Sequence, residues 1–132
     1  MEDWKIKVSV LWLIYDVAAL AGGLLGIFEP GLLAQFVLTG EIEGMKVGPD
    51  LLLFLAIALL VPLVMAFLSL TLKDSTNRWV NIIVAIVWLG LGLTSLPKYV
   101  EKPSAYAILM WVASGVALVL IVWYAWTSKQ KA

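Results

Sequence analysis

The sequence predicts an all-α integral membrane protein, a four-helix up-down bundle that forms a single transmembrane domain over residues 1–132. Three observations carry that expectation. Apolar residues make up 63% of the chain, against roughly 45–50% in a soluble globular domain. A helical crossing needs about 20 mainly apolar residues, and four such stretches occur, at about 8–28, 51–72, 79–97 and 104–126. The segments 73–78 and 98–103 are only a few residues long, which makes the spans they join antiparallel neighbours.

The first stretch exceeds the apolar core of a secretory signal, about 7–15 residues, and carries Asp16, so it reads as a retained span. A carboxylate near mid-span costs about 2.5–3.5 kcal/mol on insertion scales, which predicts that Asp16 faces the bundle interior. The seam through it, Ser9, Trp12, Asp16, Ala19, Gly23 and Gly26, has helix-packing spacing, and its small residues predict close backbone approach. The connector 29–50 is too long for a plain turn. Glu29-Pro30-Gly31 places a carboxylate and a proline where a helix begins, predicting a short interfacial helix at about 30–38 followed by a turn segment.

In the second span Pro62 has no amide proton, which frees the carbonyl of Ala58. The third offers the stripe Asn81, Ala85, Trp88, Gly92 and Ser95, and the fourth Ala107, Trp111, Ser114 and Leu118. Counted from the membrane faces, Asp16, Pro62, Trp88 and Ser114 share a depth. A polar layer is predicted in which Trp88 Nε1 and the Ser114 hydroxyl donate to Asp16, Tyr15 doing so only if the first span rotates. Asp16, Tyr15, Trp12, Trp88, Ser114 and Pro62 are thus the candidate ligand or proton residues. Two uses of Asp16 stand side by side: fixing helix register, and carrying a proton or gripping a ligand. At the start of the third span, Asn77, Arg78, Trp79 and Asn81 read as interfacial anchoring. Asn77 is expected to cap the helix, Arg78 to meet lipid phosphate and Asn81 to point one turn deeper.

Formal net charge is zero, which gives no bulk attraction to nucleic acid. The chain has no cysteine and no histidine, which removes thiol chemistry, haem or zinc sites on those ligands, and Ser-His-Asp catalysis. No metal, cofactor or catalytic residue is expected. Lys5, Lys7, Lys73, Arg78, Lys129 and Lys131 lie on one side of the spans and Lys46, Lys98 and Lys102 on the other. The positive-inside rule therefore predicts a cell-membrane protein with both termini cytoplasmic. Trp4, Trp79, Trp123, Tyr124 and Trp126 on that side, and Phe28, Phe36, Tyr99 and Tyr106 on the other, form the expected aromatic belts.

Several stretches resemble a family of small prokaryotic four-span membrane proteins classified only as a domain of unknown function, similar in layout to the DoxX-like group. They are Leu11-Trp12, Tyr15-Asp16, Pro30-Gly31-Leu32, Pro62, Phe67-Leu68-Ser69, the run from Asn77 to Ile83, and the run from Ile121 to Trp126. The family pattern often has a Thr-Gln pair where this chain has Pro49-Asp50. The resemblance implies the four-span fold and supplies no activity; Asp16 falls on a family position.

The leading functional expectation is a non-enzymatic bundle that binds a lipid-like or small apolar ligand or assists a membrane complex. Its partners are membrane lipids and a small apolar or cationic ligand. A proton-coupled transporter using Asp16 is the alternative, in the manner of small multidrug exporters with four spans and an acidic residue in the first. A membrane enzyme comes third, since one midplane carboxylate without a second acid or base is poor equipment. Four short helices enclose little volume alone, so a homodimer or higher assembly is expected.

Overall fold

The structure, a computed structural model, describes residues 3–28, 30–42, 45–101 and 104–128. Glu29, Glu43, Lys102, Pro103, Lys129 and Lys131, on which parts of the reading above draw, lie outside them. Helix α1 covers Asp3–Gly26, α2 Leu32–Thr39, α3 Pro49–Thr71, α4 Asp74–Leu93, α5 Leu96–Glu101 and α6 Ala105–Thr127, with strands β1 (Glu41–Ile42) and β2 (Met45–Lys46) between α2 and α3. Four segments are long and apolar enough to cross a membrane: α1, α3, α4 running on into α5, and α6. They form an up-down bundle.

Local chemistry sets the ends of these elements. Beyond Gly26 the amides of Ile27 and Phe28 reach back to the carbonyls of Leu24 and Leu25, closing α1 in a tighter turn. Gly31 (φ 84°) and Gly40 (φ 72°) occupy left-handed conformations on either side of α2, where a side chain would be strained. The Gly40 amide donates to the Phe36 carbonyl at 2.8 Å, a glycine stop for the helix. A two-residue antiparallel ladder then pairs Glu41 with Lys46 and Ile42 with Met45, where only a turn was expected. Pro49 opens α3 at a position whose amide would have no partner, with Asp50 in the first turn.

The largest boundary difference lies at the third span. Helix starts at Asp74 rather than Trp79, so only Leu72 and Lys73 separate α3 from α4. Residues 74–78 are polar and do not register as membrane-spanning by hydropathy, yet they wind one more helical turn at the membrane boundary.

Around the bundle the order is α1, α3, α4, α6. Backbones approach most closely between α1 and α6, α1 and α3, and α4 and α6, while α3 and α4 stand further apart. Large side chains span that wider gap. Trp88 Nε1 of α4 donates to the Ala58 carbonyl of α3 at 3.4 Å, the carbonyl that Pro62 leaves without its helical donor.

Packing is uneven along the axis. The buried residues are Trp4 to Ala18 in α1, Pro62 to Ser69 in α3, Asn77 to Ala85 in α4, and Ala117 to Ala125 in α6. All lie in the half of the bundle that bears the termini. Beyond Ala18 in α1, before Pro62 in α3, beyond Ala85 in α4 and before Ala117 in α6, no further residue of these helices is buried. Since lipid tails are as apolar as leucine, helices in a bilayer are held by shape fit and interhelical hydrogen bonds rather than by apolar burial. The terminal half has both; the half bearing α2 and the hairpin is splayed.

Candidate functional site

The splayed half contains a half-open cavity of about 790 Å³ among α1, α4 and α6, within the roughly 300–1,000 Å³ usual for small-molecule sites. Along α1 its lining runs from Tyr15 to Ile27, about 18 Å at 1.5 Å per residue. Small residues make the space: Ala18, Ala19, Gly22, Gly23 and Gly26 in α1, and Gly115 opposite in α6. A Cβ built on Gly23 or Gly115 would meet nothing within 4 Å, whereas one on Gly22 would stand 3.3 Å from Met110 Cβ. The expected close approach therefore occurs at Gly22, while Gly23 of the predicted seam borders open space. Leu32 of α2, Ile42 of β1 and Tyr99 of α5 close the end away from the termini. Tyr99 packs on Trp111 with ring centroids 5.5 Å apart, and Trp111 Nε1 donates to the Gly92 carbonyl at 2.9 Å, which ties α6 to α4 beside the cavity.

Beneath the cavity, in the packed half, lies a hydrogen-bonded cluster that joins three helices. Trp12 Nε1 of α1 donates to Asn81 Oδ1 of α4 at 2.6 Å. The Ser69 hydroxyl of α3 lies 3.1 Å from the same oxygen and 2.6 Å from its own helix's Met65 carbonyl. Asn81 Nδ2 donates to the Asn77 carbonyl (2.8 Å) and to Asn77 Oδ1 (2.5 Å). Asn77 Nδ2 in turn donates to the Ser69 carbonyl at 2.7 Å. All four side chains are buried, and every donor the cluster buries has an acceptor, which is the condition for such a network to stabilise rather than strain a low-dielectric interior. One turn nearer the terminus, the Ser9 hydroxyl donates to the Ala66 carbonyl at 2.8 Å and pins α1 to α3.

This arrangement redraws the polar layer expected from the sequence. Asp16 is buried, but neither Trp88 nor Ser114 donates to it. Trp88 takes the carbonyl freed by Pro62, and the Ser114 hydroxyl donates to Met110 one turn back at 2.9 Å, the common resting state of a serine in an apolar helix. Asp16 Oδ1 is buried with no hydrogen-bond partner. The Ser9 bond to Ala66 fixes the antiparallel register, and two turns further along α1 it sets Asp16 level with the stretch of α3 from Leu59 to Pro62. Tyr15, Trp88 and Ser114 line the cavity; Asp16, Trp12 and Pro62 do not. The carboxyl group thus lies outside the lining, on the face of α1 that carries Ser9. Tyr15 lies edge-on to Trp12, centroids 6.2 Å apart, linking the lining to the cluster below.

Two anchoring assignments change as well. Asn77 does not cap α4: the N-cap is Lys73, without a side-chain bond, and Asn77 is fully buried, serving the carbonyls of Ser69 and Leu72 at the end of α3. Asn81 is fully buried too and bonds across helices. Arg78 is half-buried and Trp79 exposed, in the second turn of α4. The Arg78 guanidinium lies 4.9 Å from the Trp79 ring centre and 5.5 Å from that of Trp126. Among the described residues no group of three His, Cys, Asp or Glu side chains could hold a metal.

The model of a family of unknown function, DUF6326, matches residues 1–132. The chain belongs to that family. No curated protein and no solved structure matches it, and the likeness in layout to DoxX-like proteins stays an expectation. In this DUF6326 chain the residues that the sequence reading missed are Ser69, as a bridge between α3 and α4, and Gly22 and Met110, as the tight contact of α1 with α6. Ser69 carried a signal, being a polar side chain in an otherwise apolar span. Gly22 stands beside Gly23 in sequence, and only the rotation of α1 tells one from the other.

Proposed function

We propose that the protein binds an elongated apolar ligand, lipid-like in character, within the bilayer and performs no chemistry on it. The cavity carries this reading: about 790 Å³ in volume, lined by glycine, alanine, leucine and aromatic side chains, and set on a floor that hydrogen bonds hold rigid. A site on a stiff base admits a ligand without reorganising the fold, which lowers the cost of binding. The polar residues of the lining, Tyr15, Tyr106 and Ser114 along its length and Lys98 of α5, suit a ligand that is apolar along most of its length and carries one or two polar atoms.

Lipidomic extraction of the purified protein tests this. A species enriched over bulk membrane lipid is expected with the parent chain, and its loss is expected in Gly23→Leu and Gly115→Leu, at lining positions where an added Cβ meets no atom within 4 Å. Gly90→Leu, equally unobstructed but outside the lining, is expected to retain it. Absence of any enriched species from the parent would overturn the reading.

A second reading, proton-coupled transport, is favoured by one observation: the buried Asp16 Oδ1 has no partner and follows the cavity-lining Tyr15 directly in α1. Intramembrane carboxylates in that state serve proton relays elsewhere. Liposomes with an imposed pH gradient separate the two readings, because transport requires a proton-driven flux that Asp16→Asn abolishes, whereas binding survives that substitution. For either reading we place the termini on the cytoplasmic side, following the distribution of Lys and Arg. The chain has no cysteine, so single cysteines at Ser104 and at the exposed Ser75, with a membrane-impermeant maleimide, report the orientation directly.

A further inference from the structure

We infer that Arg78, packed against Trp79 and Trp126, forms a binding site for the phosphate of an anionic phospholipid, on the bundle's outer surface and separate from the cavity. Arg78 is the fifth residue of α4, at the membrane boundary on the side of the termini. Its guanidinium contacts two indoles, at 4.9 and 5.5 Å from their centres, and those rings pack edge to face on each other with centroids 6.3 Å apart. Both ring centres lie on one side of the guanidinium, which leaves its other side for hydrogen bonding.

Among the described residues no protein acceptor pairs with its terminal nitrogens, and Arg78 makes no ion pair. Nε is itself buried without a partner, so the donors that can meet a ligand are the two Nη groups. The acidic residue best placed to neutralise it, Asp74 one turn earlier in α4, is instead engaged by Lys5 at 2.5 Å. A planar, permanently charged fork without a counter-ion calls for a multi-oxygen anion, and phosphate matches its geometry. Lys7, over the Tyr124 ring at 5.4 Å, adds positive charge at the same end of the bundle.

A lipid fits better than a free anion because of what continues inward from the two tryptophans. Along α4, Trp79 is followed by Ile83 and Ile86, and along α6 Trp126 is followed inward by Trp123 and Val119, all of them exposed. At spacings of three and four residues these form two apolar stripes that start at the Trp79–Trp126 contact. A cation above a paired apolar track has the shape of a phospholipid.

The test is native mass spectrometry and thermal melting of the full chain in mild detergent, with phosphatidylglycerol, phosphatidylcholine or inorganic phosphate added. We expect a one-to-one phosphatidylglycerol adduct and a raised melting temperature, a weaker response to phosphatidylcholine, and none to inorganic phosphate. Arg78→Gln is expected to weaken phosphatidylglycerol binding about tenfold, as loss of a charge-assisted contact does. Arg78→Lys keeps the charge and loses the fork, and is expected to recover only part of it. Lys46→Gln, near the opposite end, is expected to leave binding unchanged. Equal binding of the two lipids by the parent, equal protection by inorganic phosphate, or full binding by Arg78→Gln would each overturn the assignment. The parent comparison needs no variant, so a poorly folding substitution leaves the test intact.

Discussion

The bond from Trp12 Nε1 to Asn81 Oδ1, 2.6 Å long between fully buried side chains of α1 and α4, is open to a double-mutant cycle. Trp12→Phe removes the donor and keeps an aromatic ring. Asn81→Ala removes the acceptor, together with the two bonds its Nδ2 makes to Asn77. In Asn81→Ala the indole N–H is left buried without an acceptor, at a cost of about 1–3 kcal/mol. The Ser69 hydroxyl also loses Asn81 Oδ1, and a lost interhelical bond in a bilayer adds about 0.6 kcal/mol. The single substitution should therefore cost about 2–4 kcal/mol. Trp12→Phe should cost about 1–2 kcal/mol, because the exposed lone pair of Oδ1 still has the Ser69 hydroxyl 3.1 Å away. Once the indole is gone, Asn81→Ala no longer orphans a donor, so the double variant should be more stable than the sum of the singles by about 1 kcal/mol. Reversible unfolding in mixed micelles, followed by far-ultraviolet circular dichroism, measures all four corners. Additivity within about 0.3 kcal/mol would refute the claim that this bond ties α1 to α4.

Other perturbations follow from the same geometry. Gly22→Ala puts a methyl group 3.3 Å from Met110 Cβ and should cost about 1–2 kcal/mol, whereas Gly23→Ala meets nothing and should gain up to about 1 kcal/mol in helix propensity; thermal melting of the pair checks the difference. Asp16→Asn retains the side-chain volume and removes a charge whose Oδ1 has no partner, so the fold should be as stable or up to about 1 kcal/mol more so. A loss of stability in that variant would show a partner for the carboxylate. Lys5→Gln breaks a pair whose Asp74 side is half exposed and should shift stability by less than about 1 kcal/mol, with the effect fading in high salt.

Much of the fold was legible in the sequence because the bilayer imposes one strong rule: every backbone polar group must be satisfied within the segment, so long apolar stretches become helices. The four spans, the helix after Pro30, the inward face of Asp16 and the Ala58 carbonyl freed by Pro62 all follow from rules local to a few residues. The site was less legible. Trp88 and Ser114 each donate to a backbone carbonyl instead of the Asp16 carboxylate, and choosing among acceptors requires the distance between helices. Asn81 finds its partner Trp12 across 69 residues of chain, a pairing no periodicity announces. Hydropathy also misplaced the start of α4, since Asp74 to Asn77 look like loop by composition while Asn77 is among the most deeply buried residues.

Polar staples at one end and open space at the other give the bundle a gradient of rigidity along the membrane normal. Deuterium should enter the backbone of the looser end through small local openings and reach the stapled end only when the whole fold comes apart. Like tweezers joined at the base, the tips of the helices can then separate by degrees while their register at the hinge stays unchanged.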